Sequence, residues 1–231
     1  MNNLKEMKID QRHYDKKPST LGERLFIYGL TAVFLSLMLL EIFTNYEPRK
    51  LAALFFIVWW LPLVVVHEFG HAVVAHALGW QVQRTVIGFG RVLYQGQLFN
   101  APLELRLIPL EGFVQFKPVD GRGMRYKHAL TYFAGPGIEL LLAFSIMLLM
   151  GWNNFFLIED DYTKLAFQAL AYAALAGAII NLIPTGVVTH QGETPNDGLG
   201  ILVSLFSSDQ AYKKALGTER EPDDDFNSRP F

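Results

Sequence analysis

Hydrophobic and polar positions fall into long blocks along this chain rather than into short alternations. Residues 1–24 are mostly polar and mixed in charge. Leu25–Phe43 ("LFIYGLTAVFLSLMLLEIF") is then nearly uncharged for about 19 residues, long enough to span a bilayer. "TNYEPRK" reads as a short turn punctuated by Pro48. Leu51–Leu78 forms a second block, about 42 Å long at ~1.5 Å per residue. That exceeds a hydrocarbon core of ~30 Å, so the helix is expected to tilt or protrude, with Pro62 as a kink site. His128–Trp152 and Leu165–Pro184 predict a third and a fourth span. Residues 79–127 have another rhythm, with Gly and Pro at short intervals around "LELRLI" and "GFVQF". They predict two or three short β strands. "NNFFLIEDDYTK" reads as an acidic loop, "TGVVTHQGETPNDG" as a polar loop, and Leu199–Ser207 as a short last helix.

The expected fold class is an all-α polytopic membrane protein. It has about four transmembrane helices and a small membrane-associated β-hairpin region between spans two and three. The expected organisation is a cytoplasmic tail over 1–24, an extra transmembrane helix and turn over 25–50, a core over 51–207 and a charged flexible tail over 208–231.

Composition agrees. Of 231 residues, 51% are hydrophobic and 18% charged, where a soluble domain carries nearer a quarter charged. A formal net charge of −2 and the lack of a long basic run exclude a nucleic-acid binder. The chain has no cysteine, which excludes disulfides and thiolate metal sites. The polar lead before the first apolar block is long, and no small-residue cleavage site follows. A retained membrane segment is therefore expected rather than a cleaved signal. Basic residues gather in the N-terminal tail (Lys5, Lys8, Arg12, Lys16, Lys17, Arg24) and in 84–127 (Arg84, Arg91, Arg106, Lys117, Arg122, Arg125, Lys127). The loop before span four is acidic at Glu159, Asp160 and Asp161. This pattern places both termini in the cytoplasm. The compact architecture reads as that of a prokaryotic plasma membrane.

The chemistry lies in "VVVHEFGHAVVAHALGW", Val64–Trp80. Charged and imidazole groups are costly in hydrocarbon and mark function there. His67-Glu68-Phe69-Gly70-His71 is H-E-x-x-H. Histidines four apart share a helix face and can bind one ion, while Glu68 on the next face reaches a metal-bound water. Zinc lowers the pKa of such a water to roughly 7, and Glu68 would take its proton. Gly70 lets another backbone approach. His76 reads as a satisfied interfacial histidine, and His13 and His128 as surface residues. A catalytic zinc takes three protein ligands, so a third His, Asp or Glu is needed. Asp197 in "TPNDGLG" is the first candidate, with His190, Glu193 and Glu139 as rivals. Asn196-Asp197-Gly198 is also a common turn sequence.

Four stretches in order resemble the site-2 protease family of intramembrane zinc metalloproteases, over roughly residues 51–205. They are "HEFGHAVVAHALGW", "IGFGRVLY" with "LRLIPLEGFVQF", "FAGPGIELLLA", and "NLIP" with the later "NDG". The resemblance implies that His67, His71 and Asp197 bind zinc and that Glu68 is the general base. It implies that Asn181 is a polar substrate-binding residue near the substrate path, and that the hairpins hold an unwound substrate as an added strand. The implied reaction is hydrolysis of a peptide bond within or beside a membrane-spanning helix, with lipid bilayer around both proteins. Three positions depart from the family's pattern. The Asn181–Asp197 gap is long, so "GVVTHQGETP" reads as an insertion and His190 stays open. Glu111 stands where the hairpin motif usually has glycine. Glu139 stands where asparagine is usual. Facing the site, Glu139 would tune the metal or its water; facing the headgroups it is an ordinary interfacial charge, which is the favoured reading. No room is seen for an inserted PDZ domain between Val114 and Leu130 or for a C-terminal regulatory domain. The alternative function is a catalytically inactive member that binds and regulates a membrane partner. A small metal-ion transporter fits less well, because spans one and three offer only Glu41 and Glu139.

Overall fold

A computed structural model describes residues 20–117, 119, 123–157, 159–189 and 192–208. The two tails (1–19, with His13, and 209–231), Arg122 and His190 lie outside the described residues. Among the described residues, four helices are long and apolar enough to cross a membrane: α1 (Leu21–Thr44), α2 (Leu51–Ala77, entered by a 3-10 turn at Pro48–Lys50), α3 (Met124–Met150) and α4 (Tyr162–Leu182). The hairpin β1 (Gln81–Leu98) and β2 (Ala101–Lys117) lies between α2 and α3. A smaller hairpin, β3 (Gly186–Thr189) and β4 (Gly192–Pro195), precedes the last helix α5 (Asp197–Phe206). The protein is a multi-pass membrane protein of the expected class.

Local chemistry sets where each helix starts and stops. α1 begins four residues before the apolar block because Thr20 and Glu23 form a reciprocal cap. Thr20 Oγ1 accepts from Glu23 N at 3.2 Å, and Glu23 Oε2 accepts from Thr20 N at 2.8 Å. Among its described residues only Ile42 is buried. Such a surface suits lipid and would be untenable in water. α2 ends in a Schellman turn: Gly79 adopts φ 77°, Gly79 N donates to His76 O and Trp80 N to Ala75 O. α4 starts at Tyr162, capped by Asp161, whose Oδ1 accepts from Lys164 N at 2.9 Å. It stops at Leu182, because Ile183 precedes Pro184 and is extended.

α2, α3 and α4 form the bundle that carries the core. Leu63, Ala143, Ile146, Phe155, Ala171, Ala173 and Ala174 bury together, so α4 meets its neighbours through small side chains. Close approach of this kind drives helix association in lipid, where apolar burial alone gives little. Gly70 shows how tight it is: a Cβ there would lie 2.8 Å from Ala134 O on α3.

The sheet region differs from the expected short strands. β1 and β2 run 18 and 17 residues and form one long antiparallel hairpin. Its two-residue turn has positive φ at Phe99 (52°) and Asn100 (62°), which suits the twist of a tight hairpin. Register shifts fold the ribbon on itself, so Thr85, Val86 and Ile87 pair with both Val114–Gly112 and Leu103–Leu105. The buried charges of this sheet are matched: Glu104 accepts from Arg84 Nη2 at 2.8 Å and from Arg106 Nη2 at 3.0 Å. The sheet docks on the end of α2 through Ala75, Trp80, Val82 and Ala101. His128 belongs to this joint and is buried, not a surface residue. Its ring meets Trp80 edge-on at 4.4 Å and lies near Phe116. His76 stays exposed and stacks on Phe99 at 4.1 Å.

Candidate metal centre

The buried residues of α2 are Leu63, His67, Glu68, His71, Ala72 and Ala75, a stripe three to four residues apart. The face that docks on the bundle is therefore the one carrying H-E-x-x-H. Asp197, on the first turn of α5, reaches the same point. His67 Nε2 and His71 Nε2 are 3.1 Å apart. Asp197 Oδ2 lies 3.0 Å from His67 Nε2, and Asp197 Oδ1 lies 3.4 Å from His71 Nε2. Donor atoms held ~2.0–2.1 Å from a tetrahedral zinc stand roughly 3.3 Å apart, so this triangle has the right size for that ion. Two imidazoles and a carboxylate also form a donor set that zinc accepts without a thiolate.

The backs of both imidazoles meet oxygen. His71 Nδ1 donates to Thr131 O on α3 at 2.6 Å, which leaves Nε2 as the ligand atom. His67 Nδ1 faces Glu139 Oε2, also on α3, at 3.2 Å. That approach is off the line of a good hydrogen bond, and neither atom has another partner. Glu139 is 3% exposed. It is therefore a site residue and not an interfacial headgroup charge. Its helix runs past the cluster with His128, Thr131, Gly135, Glu139, Ala143 and Ile146 buried in series, so the stripe that faces α2 includes position 139. Gly177 on α4 makes room for it, since a Cβ there would come within 2.8 Å of Glu139 Oε1.

Glu68 is buried beside the triangle, and its roof is the hairpin. A Cβ on Gly112 would lie 2.5 Å from Glu68 Cγ and 2.8 Å from Oε1. Glycine is thus needed at 112, one residue after Glu111. Gly135 of "FAGPG" is tighter still. A Cβ there would lie 2.5 Å from His67 Nε2 and closer to His71 Nε2.

Glu193 is on β4, which pairs with β3 where the sequence predicts a polar loop. Asn181 closes α4, and its Nδ2 donates back to Gly177 O at 3.1 Å. Asn196, read from the sequence as a turn residue, makes four side-chain hydrogen bonds. Its position just before Asp197, at a helix start, was the available signal.

Comparison with known proteins decides the family. A profile of peptidase family M50 matches residues 55–180, more than half of the chain. The chain belongs to peptidase family M50. The M50 match covers most of α2 with its H-E-x-x-H, the hairpin and α3 with Glu139, and so three of the four stretches that resemble the site-2 protease family; "NLIP" and "NDG" lie beyond it. A Campylobacter jejuni protein, Cj1068, named provisionally as a zinc metalloprotease, is 30% identical over 162 residues, 62% of this chain and 39% of that protein. The Nostoc protein all3971, named in the same terms, is 30% identical over 149 residues, 58% of this chain and 38% of its own length. Zinc metalloprotease Rip1 of Mycobacterium tuberculosis is 31% identical over 109 residues, 39% and 27%. This M50 chain thus spans less than half the length of the curated relatives it matches.

Proposed function

We propose that this M50 protein is an intramembrane zinc metalloprotease that hydrolyses a peptide bond within or beside a transmembrane segment. The observation that carries the reading is the buried triangle of His67, His71 and Asp197, sized for a tetrahedral ion, with Glu68 on the adjoining helix position. His67, His71 and Asp197 hold the zinc. Bound there, zinc supplies the Lewis acidity that makes water a nucleophile near neutral pH. Glu68 is the general base that takes a proton from the attacking water and returns it to the leaving amine. The packed walls around Glu68 exclude bulk solvent. The substrate must unwind first, because an intact helix shields its carbonyls, and the long hairpin offers it backbone partners. Asn181 is the polar residue beside that path. The proposed orientation places both termini in the cytoplasm of a prokaryotic cell.

The test is cleavage of a single-span reporter protein in detergent micelles. We expect cleavage within the reporter's span, its loss on chelation by 1,10-phenanthroline, and its return with added zinc. Zinc-loaded protein that leaves every reporter whole would instead support the regulatory, non-catalytic reading.

A second expectation concerns Glu139. A carboxylate behind a metal-binding imidazole orients the ring, and losing such a partner typically costs 10–100-fold in metal affinity. Glu139→Ala is expected to weaken zinc binding by about that factor. Glu139→Gln keeps an oxygen at the same place and is expected to lose less. Competition with a chromophoric chelator measures both, and equal losses for the two would rule out the orienting role.

A further inference from the structure

Asp197 stands well beyond Asn181, with the paired strands β3 (Gly186–Thr189) and β4 (Gly192–Pro195) between them. A ligand at the end of such an excursion should be poorly placed, yet Asp197 meets both histidines. The atoms that bridge the gap belong to Asn196. Its Nδ2 donates to Asn181 O at 3.2 Å and to Ile183 O at 2.7 Å, both at the end of α4. Its Oδ1 accepts from Thr185 N at 3.0 Å and from Leu199 N at 3.1 Å. Its backbone N donates to Thr185 O at 3.0 Å. One carboxamide thus uses every donor and acceptor type it has. It joins the last carbonyls of α4 to the first turn of α5 and pinches the hairpin off at its base.

We infer that Asn196 is the positioning residue for Asp197: it closes the insertion so that α5 begins where its carboxylate meets His67 and His71. The inference rests on Asp197 being the third zinc ligand. Asn196 does not touch the ion. It acts through the start of α5, which two other contacts hold in place. Gly198 lies so close to Leu182 O that no Cβ would fit. At the far end of α5, Arg125 Nη1 donates to Ser204 O at 3.2 Å and Ser207 O at 2.8 Å. With these anchors kept, the loss of Asn196 frees only the segment that carries Asp197. Among the described residues the cluster that could hold the ion is His67, His71 and Asp197, and none of the three is on the hairpin. Because Thr185 and Asn196 are already hydrogen-bonded to each other, two glycines can replace residues 186–195 without moving Asp197.

The experiment is zinc affinity by chelator competition, with the visible spectrum of the cobalt-substituted protein, on full-length chain in detergent. Wild type is expected to bind one ion, and Asp197→Ala to lose it. Asn196→Ala is expected to weaken zinc at least tenfold and to shift the cobalt bands. Asn196→Ser can still cap α5 but cannot reach Asn181 or Ile183, so it is expected to behave like the alanine variant. The Gly-Gly replacement, which also removes His190 and Glu193, is expected to stay within twofold of wild type. Asn196→Ala within twofold of wild type overturns the inference, as does full recovery in Asn196→Ser, which would leave only a helix cap. Loss of zinc in the folded Gly-Gly replacement overturns it as well. Zinc retained by Asp197→Ala is a separate failure, of the ligand assignment itself, and removes the ground beneath the inference.

Discussion

Glu68→Gln is expected to keep one zinc per chain and to lose peptide-bond cleavage by about 10²–10⁴-fold, the usual contribution of a general base. The substitution exchanges one carboxylate oxygen for an amide nitrogen with almost no change of shape. That matters because Glu68 is packed under Gly112, where the hairpin backbone leaves no slack. The packing therefore survives while the group loses its ability to take a proton. Zinc content and cleavage of the single-span reporter, measured on the same preparation, check the two halves separately. Cleavage at near wild-type rate would remove Glu68 from the chemistry. Loss of zinc together with activity would make it a structural support of the histidines instead.

Gly135→Ala is the other large effect, and it tests the centre from the opposite side. One added methyl group would sit 2.5 Å from His67 Nε2 and closer to His71 Nε2, where the ion is proposed to bind. Neither side can yield easily. A Cβ at Gly70 would lie 2.8 Å from Ala134 O, so α2 and α3 approach closely one residue from Gly135. Overpacking of this kind costs about 1–3 kcal/mol, which corresponds to roughly 5- to 150-fold in zinc affinity. The expected outcome is a chain that still folds in detergent but binds zinc more weakly by about that factor, read by chelator competition. Unchanged zinc affinity would mean that the histidines turn elsewhere when metal is bound.

The spans were legible because a run of about twenty apolar residues has few other uses, and H-E-x-x-H was legible because a spacing of four is one helical turn. The face of each span was not. A helix that is apolar all round has no contrast between its lipid side and its protein side. Glu139 is the clearest case: taken alone it is a charge within a span. The small residues around it hold the missing information. Thr131, Gly135 and Glu139 are four apart, and Gly135 lies in the motif already tied to the site. Helix starts were missed by two to four residues where a polar cap, rather than the apolar run, sets the boundary, as at Thr20, Asp161 and Asn196. The hairpin was read as short strands because its register shifts interrupt the alternation that marks a long one. Asp197 was named as one option among several. Nothing in the spacing showed that a neighbouring asparagine would cancel the length of the insertion.

The ligands of the proposed centre are far apart in order of synthesis. His67 and His71 are on the second span, while Asp197 follows the fourth. A growing chain presents its two histidines long before the carboxylate that completes their set. Until α5 has emerged and docked on α3, the histidines can hold metal only weakly and Glu68 has no activated water to serve. On the proposed reading the centre is thus disarmed for as long as the chain is incomplete. The proposed final ligand would then work as a completion signal.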